Sequence, residues 1–272
     1  MTVLSSLMAE RKNPTATVPS GTVELTNNNK DNYIVEVGTE VIPTWKTTFS
    51  AGSYSYGPST GSTATLATVT LSTDAENKIE IAAGEMNGKT GSLTAFTVAD
   101  TTKHYVKVEY GYTAGTVNPV DNFGDEYVDT SKNLPIQAAS GKSDTSTYYI
   151  QGYRKAFYGS KTAPVELISS NLRKLADTNS NENTLSVEIV EGAKQVIIAV
   201  PSNRIVIKVA DEGAFGTDIF SEFTKMTGEA AILIGGADAT ADNIGNYATN
   251  YNVYVYNPST ALGANTYTVI LE

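Results

Sequence analysis

A chain of 272 residues with 29 acidic and 19 basic side chains, a formal net charge of -10, lacks the cationic footprint that nucleic-acid binding requires. It contains no cysteine, which excludes disulfides and thiolate metal sites. No apolar run approaches the roughly 20 residues of a membrane-spanning helix, so neither nucleic acid nor membrane is expected as a partner. The hydrophobic share of 40% is enough for a packed core, in one large or two ordinary domains. Thr and Tyr favour strands, while Asn, Gly, Ser and Asp favour turns. The composition therefore predicts a mainly β fold, and the pattern along the chain divides it into two domains.

Residues 1–20 read as an N-terminal helix or arm. Val3, Leu4, Leu7 and Met8 share one helical face, and Glu10, Arg11 and Lys12 end it near Pro14. So short a helix is marginal alone. Its apolar stripe must dock on its own domain or pack as an assembly arm on a neighbouring subunit. The N-terminus has no basic or sustained apolar region of a signal peptide, so folding in a cytoplasm is expected.

From 21 to 117, strand signals recur at the spacing of a sandwich or barrel. They cover 22–25, 33–37, 41–49, 64–71, 78–81, 92–98 and 104–112. In the last of these, Val106 and Val108 alternate with Tyr105, Lys107 and Glu109, giving one buried and one wet face. Asn27-Asn28-Asn29, Gly57-Pro58 and Asn87-Gly88 mark turns. An N-terminal immunoglobulin-like β-sandwich fits best, without the Cys–Trp–Cys core of antibody domains and with Trp45 in its interior. Residues 118–146 are poor in apolar side chains and read as an irregular linker.

Residues 147–272 read as a C-terminal β-sandwich with two short helices. Leu172 and Leu175 after Ser169-Ser170 suggest a capped helix of about two turns. Ile219, Phe220, Phe223 and Met226 suggest an amphipathic second one. The apolar runs 196–200 and 205–209 read as central strands buried on both faces, and 251–256 and 267–271 complete the sheet.

Several blocks of this half, taken in order, resemble a known family. They are Tyr148-Tyr149-Ile150-Gln151-Gly152-Tyr153-Arg154-Lys155-Ala156-Phe157-Tyr158-Gly159, then Ser169-Ser170-Asn171-Leu172-Arg173-Lys174-Leu175, then Gln195-Val196-Ile197-Ile198-Ala199-Val200-Pro201, and finally Asn265-Thr266-Tyr267-Thr268-Val269-Ile270-Leu271. Together they are similar to a β-rich module in structural proteins of tailed bacteriophages, particularly those infecting Bacteroidetes. Upstream, Tyr33-Ile34-Val35-Glu36-Val37-Gly38-Thr39-Glu40-Val41 and Ala51-Gly52-Ser53-Tyr54-Ser55-Tyr56-Gly57-Pro58 resemble the N-terminal β modules of the same proteins. The loop at Gly235-Gly236-Ala237-Asp238 and Ile244-Gly245-Asn246-Tyr247 departs from the pattern. The resemblance implies a non-enzymatic virion component, made in the host cytoplasm, that assembles with itself and other virion proteins in a neck or tail ring or hub, or in a fibre. The expected assembly residues are Val3, Leu4, Leu7, Met8, Tyr149, Tyr153, Phe157 and Tyr158. The rival reading is a host-surface carbohydrate-binding adhesin.

Signals of chemistry are sparse. The single histidine, His104, opens a strand, and no Gly-x-Ser-x-Gly elbow occurs. Gly235-Gly236 is not followed by the Gly-Lys-Ser/Thr of a phosphate loop and reads as a hairpin turn. Asp121, Asp125, Glu126 and Asp129, and Asp238 with Asp242, form acidic clusters that could offer oxygens to calcium, but neither matches a calcium-loop pattern. Trp45, Tyr54, Tyr56, Tyr148, Tyr149 and Tyr153 could include a sugar platform, although Tyr in strands commonly serves cross-strand packing. No catalytic residue, metal or cofactor is expected.

Overall fold

A computed structural model describes residues 10–56, 61–115, 120–125, 136–226, 233–240 and 247–272. The predicted arm residues Val3, Leu4, Leu7 and Met8 lie outside these, as do Glu126, Asp129 and Asp242. The protein is mainly β. Its described residues divide into two compact units: one draws on those up to Tyr33, within Ile42–Ala95 and within His104–Ile150, the other on those within Ile34–Val41, Phe96–Lys103 and Gln151–Glu272.

In the first unit, strands Ser20–Leu25, Thr44–Ser50 and Thr90–Ser92 form an antiparallel sheet in that order. Period-2 alternation turns Gly21, Val23 and Leu25 inward. Trp45, 2% exposed, sits opposite Gly91, where an added Cβ would come within 2.5 Å of its ring. A second sheet orders Ala139–Tyr153, Lys103–Tyr112, Ala67–Leu71 and Asp74–Ile81. His104, Val106, Val108 and Tyr110 are buried along Lys103–Tyr112 while Lys107 and Glu109 face water, the alternation the sequence predicts. Tyr110 reaches the first sheet. Its hydroxyl accepts the Gly21 amide at 2.6 Å, and its ring stands edge-on to Phe49 at 6.2 Å. A side chain at position 21 would meet that ring at 2.9 Å, so only glycine lets the two sheets approach here.

The second unit is built on two antiparallel sheets. One orders Ala176–Asn179, Lys155–Lys161, Gln195–Pro201, Thr249–Tyr256 and Thr224–Lys225, with Leu233–Ile234 also on Thr249–Tyr256. The other orders Thr184–Ile189, Asn265–Leu271, Val206–Asp211 and Thr217–Asp218. Every residue of Gln195–Pro201 is buried. Val196, Ile198 and Val200 join Leu185, Val187, Val209, Tyr267 and Val269 in a core between the sheets. Ile197 and Ala199 face the other way, into a cluster with Phe157, Leu172, Leu175, Tyr251 and Val253. The continuous apolar run at 195–201 reflects these two separate cores on its two faces.

Several expectations need correction. The helix at Ser169 is a single turn, Ser169–Leu172, whose N-cap is Ile168 with no side-chain cap. Leu172 and Leu175 are nonetheless buried. The second helix shrinks to a 3-10 turn, Phe220–Glu222, because the flanking Thr217–Asp218 and Thr224–Lys225 pair with strands instead. The run 205–209 is not buried on both faces: Ile205 is 41% and Ile207 45% exposed, since its sheet is covered on one side only. The stretch read as a linker over 118–146 already becomes strand at Ala139. The two units are also not successive stretches of chain, because Ile34–Val41 and Phe96–Lys103 belong with the C-terminal part.

Candidate interaction surface

The pleat divides the four expected assembly residues Tyr149, Tyr153, Phe157 and Tyr158. Tyr149 is half-buried and packs edge-on to Tyr105 at 5.4 Å, with its amide on Asn32 Oδ1. Tyr153 is half-buried and its carbonyl accepts the Val37 amide at 3.0 Å. Phe157 is 1% exposed, its ring 6.1 Å from Tyr251. It belongs to the second unit's own core and cannot present a contact surface, which corrects the expectation for that residue. Tyr158, on the opposite face of the strand, is half-buried and opens onto a groove.

That groove, about 300 Å³, lies where the edge strands Ala176–Asn179 and Thr184–Ile189 bring the margins of the two sheets together. Tyr158, Leu175 and Val190 give it an apolar lining, and Lys161, Lys174 and Glu188 supply its charges. Val190 is 40% exposed.

A second feature was not foreseen. Phe215 is the most exposed large apolar residue of the described chain, at 104% relative exposure. It stands in the left-handed region (φ 57, ψ 37) after the 3-10 turn Glu212–Ala214, a conformation that bulky residues rarely adopt. The turn is tightly tied. Asp211 Oδ1 accepts the Ala214 amide at 3.1 Å and the Asn265 side-chain amide at 2.5 Å. The Gly216 amide donates to the Asp211 carbonyl, and the Thr217 hydroxyl to the Ala214 carbonyl. Gly213 lies so close to Asn265 that an added Cβ would be 2.9 Å from it. Beneath the turn, burial together with the Asp211 carboxylate and Tyr256 pushes the Tyr267 phenol up to about 12. The only trace of this feature in the sequence is a lone aromatic within a turn pattern, Gly213-Ala214-Phe215-Gly216.

The second unit also encloses a charged cluster. Arg173, its side chain 7% exposed, lies 5.2 Å over the Phe157 ring, donates to the Gly235 carbonyl at 3.2 Å and reaches Glu36 at 3.4 Å. Lys155 stands 3.7 Å from Glu36 and 3.2 Å from Asp177. The Tyr251 hydroxyl donates to the Lys155 carbonyl, and burial drives its pKa far above the usual phenol value, with the nearby Arg154 and Arg173 charges opposing. Gly235 and Gly236 do not form the expected hairpin turn alone. Gly236 lets the chain run against Val37, whose carbonyl accepts the Ala237 amide.

The remaining candidates resolve as structure. His104 is buried with Nδ1 2.6 Å from the Thr73 hydroxyl. At Asp121 and Asp125, considered for calcium, the Arg11 guanidinium supplies the cation, at 2.7 Å from each carboxylate. Burial raises the Asp121 pKa, but the Phe123 and Asp125 amides and Arg11 outweigh it and hold the carboxyl below its ordinary value. Among the described residues no group of three or more His, Cys, Asp or Glu side chains is placed to hold a metal. Trp45 and Tyr54 are buried, which removes them from any sugar platform. Comparison with family models, curated proteins and solved structures finds no match to this chain.

Proposed function

We propose that the protein is a non-enzymatic structural component of a tailed-phage virion, working as a symmetric homo-oligomer in a neck or tail ring or hub, or in a fibre. One observation carries the reading. Of the C-terminal blocks on which the resemblance rests, residues 148–150 belong to the first compact unit, while 151–159, 169–175, Gln195–Pro201 and Asn265–Leu271 fall within the second. There they supply neighbouring strands of its two sheets and the turn that covers one of them. A resemblance scattered over unrelated surface loops would carry little weight; one whose C-terminal blocks supply most of the framework of a single unit is what a shared module predicts. The paired sheets of the first unit suit an immunoglobulin-like sandwich, with shape and repeated burial doing the work of the assembly.

Mass photometry of the purified full chain tests this reading. A discrete ring or trimer is the expected outcome, and a monomer at all concentrations would sink it. A glycan array run beside it addresses the adhesin alternative: saturable binding by a monomeric chain would move the function to host attachment. Sustained glycan cleavage would instead make the protein an enzyme.

A further inference from the structure

We infer that Phe215 of one copy seats in the Tyr158–Leu175–Val190 groove of a second copy, a head-to-tail contact that chains subunits together. The inference rests on the self-assembly reading and names the contact that would produce it. Phe215 is fully exposed, yet it stands in the left-handed region between two tied neighbours: the Ala214 and Gly216 amides donate to Asp211, and the Thr217 hydroxyl donates to the Ala214 carbonyl. A turn already fixed in its backbone lowers the ordering cost of seating its aromatic, and aromatics are common anchors of protein interfaces.

Charge selects the groove as its seat. Residues 211–218 carry Asp211, Glu212 and Asp218 and no basic residue. The groove brings Lys161 and Lys174 beside its apolar lining, against a single carboxylate, Glu188. Acidic flanks argue against a membrane or an anionic partner and for this basic rim. Topology then fixes the kind of contact. In the four-stranded sheet the anchor's turn adjoins Thr217–Asp218 at one edge, while Thr184–Ile189, which borders the groove, is the opposite edge. An anchor at one edge and a receptacle at the other make a heterologous contact, which closes into a ring or continues as a filament according to the rotation per subunit.

The test uses the full chain and two variants, Phe215→Ala and the pair Lys161→Glu with Lys174→Glu, followed by sedimentation and mass photometry. Phe215→Ala should weaken self-association by about 30-fold or more, the scale of a lost hot spot. Its fold should be unharmed, since the side chain is fully exposed, and Phe215→Gly should unfold no more readily than the parent. The lysine reversals should abolish association too, and adding Glu212→Lys should restore part of it. An equimolar mixture of the Phe215→Ala and Lys161→Glu/Lys174→Glu chains should give dimers and nothing larger, because each copy keeps one half of the contact. A parent oligomer that Phe215→Ala leaves unchanged would overturn this contact while the assembly reading stands. A monomeric parent would overturn both, and Phe215-dependent glycan binding by that monomer would assign the turn to adhesion.

Discussion

Arg173 keeps its charge inside the second unit at the cost of tying Glu36, Gly235 and the Phe157 ring into one arrangement. Replacing such a pair by apolar side chains can be neutral, but removing one partner strands the other in a poorly solvated site. Arg173→Ala should therefore destabilise the fold by about 3 kcal/mol in urea unfolding. Arg173→Lys should recover only part, because an ammonium cannot serve the carboxylate, the carbonyl and the ring together. At Asp121 the folded carboxyl is held below its unfolded value, so its contribution to stability is present above the unfolded pKa and lost as pH falls through the folded one. Asp121→Asn should flatten the acid limb of a stability–pH curve below about pH 4 and barely change its slope near neutrality. An unaltered acid limb would refute that role. Neither partnership could be read along the chain: Arg173 and Glu36 are 137 positions apart, and Arg11 and Asp125 are 114 apart.

At the level of elements, two runs that look alike in sequence behave differently. Gln195–Pro201 lies between two other strands and has a core on each face, whereas Val206–Asp211 shows Ile207 to water. Ile197→Ala and Ile198→Ala should each cost about 3 kcal/mol, because each empties a different core. Ile207→Ser should stay within about 0.5 kcal/mol. Similar losses at all three positions in denaturant titrations would contradict this packing. Apolar content announced both strands but not their burial, since that depends on whether anything covers the second face. The two expected helices are single turns for a related reason. Their amphipathic patterns were real, and Leu172, Leu175 and Phe223 do reach the cores. Yet the flanking backbone found strand partners, and helices so short have little cooperativity to resist them.

For the whole molecule, the C-terminal half is not a self-sufficient piece. Glu36 and Val37 lie in Ile34–Val41, and this segment belongs to the second unit although it precedes most of the first in sequence. A fragment of residues 147–272 would leave Arg173 and Lys155 without Glu36 and the Ala237 amide without the Val37 carbonyl. It should melt several degrees below the full chain and less cooperatively, as followed by circular dichroism. A fragment with the parent's melting temperature would show that the inserted segment is dispensable. The sequence by itself determined the β character, most strand positions, the inward sets on Ser20–Leu25 and Lys103–Tyr112, and the burial of Trp45. Those follow from local propensity and from a side-chain period of two, both of which are properties of short stretches. Only the tertiary structure decided that Phe157 is core while Tyr158 borders a groove, that a guanidinium stands at Asp121, and that Phe215 is held out in water. Each of these depends on which distant segment occupies the neighbouring space, and local pattern carries no record of that.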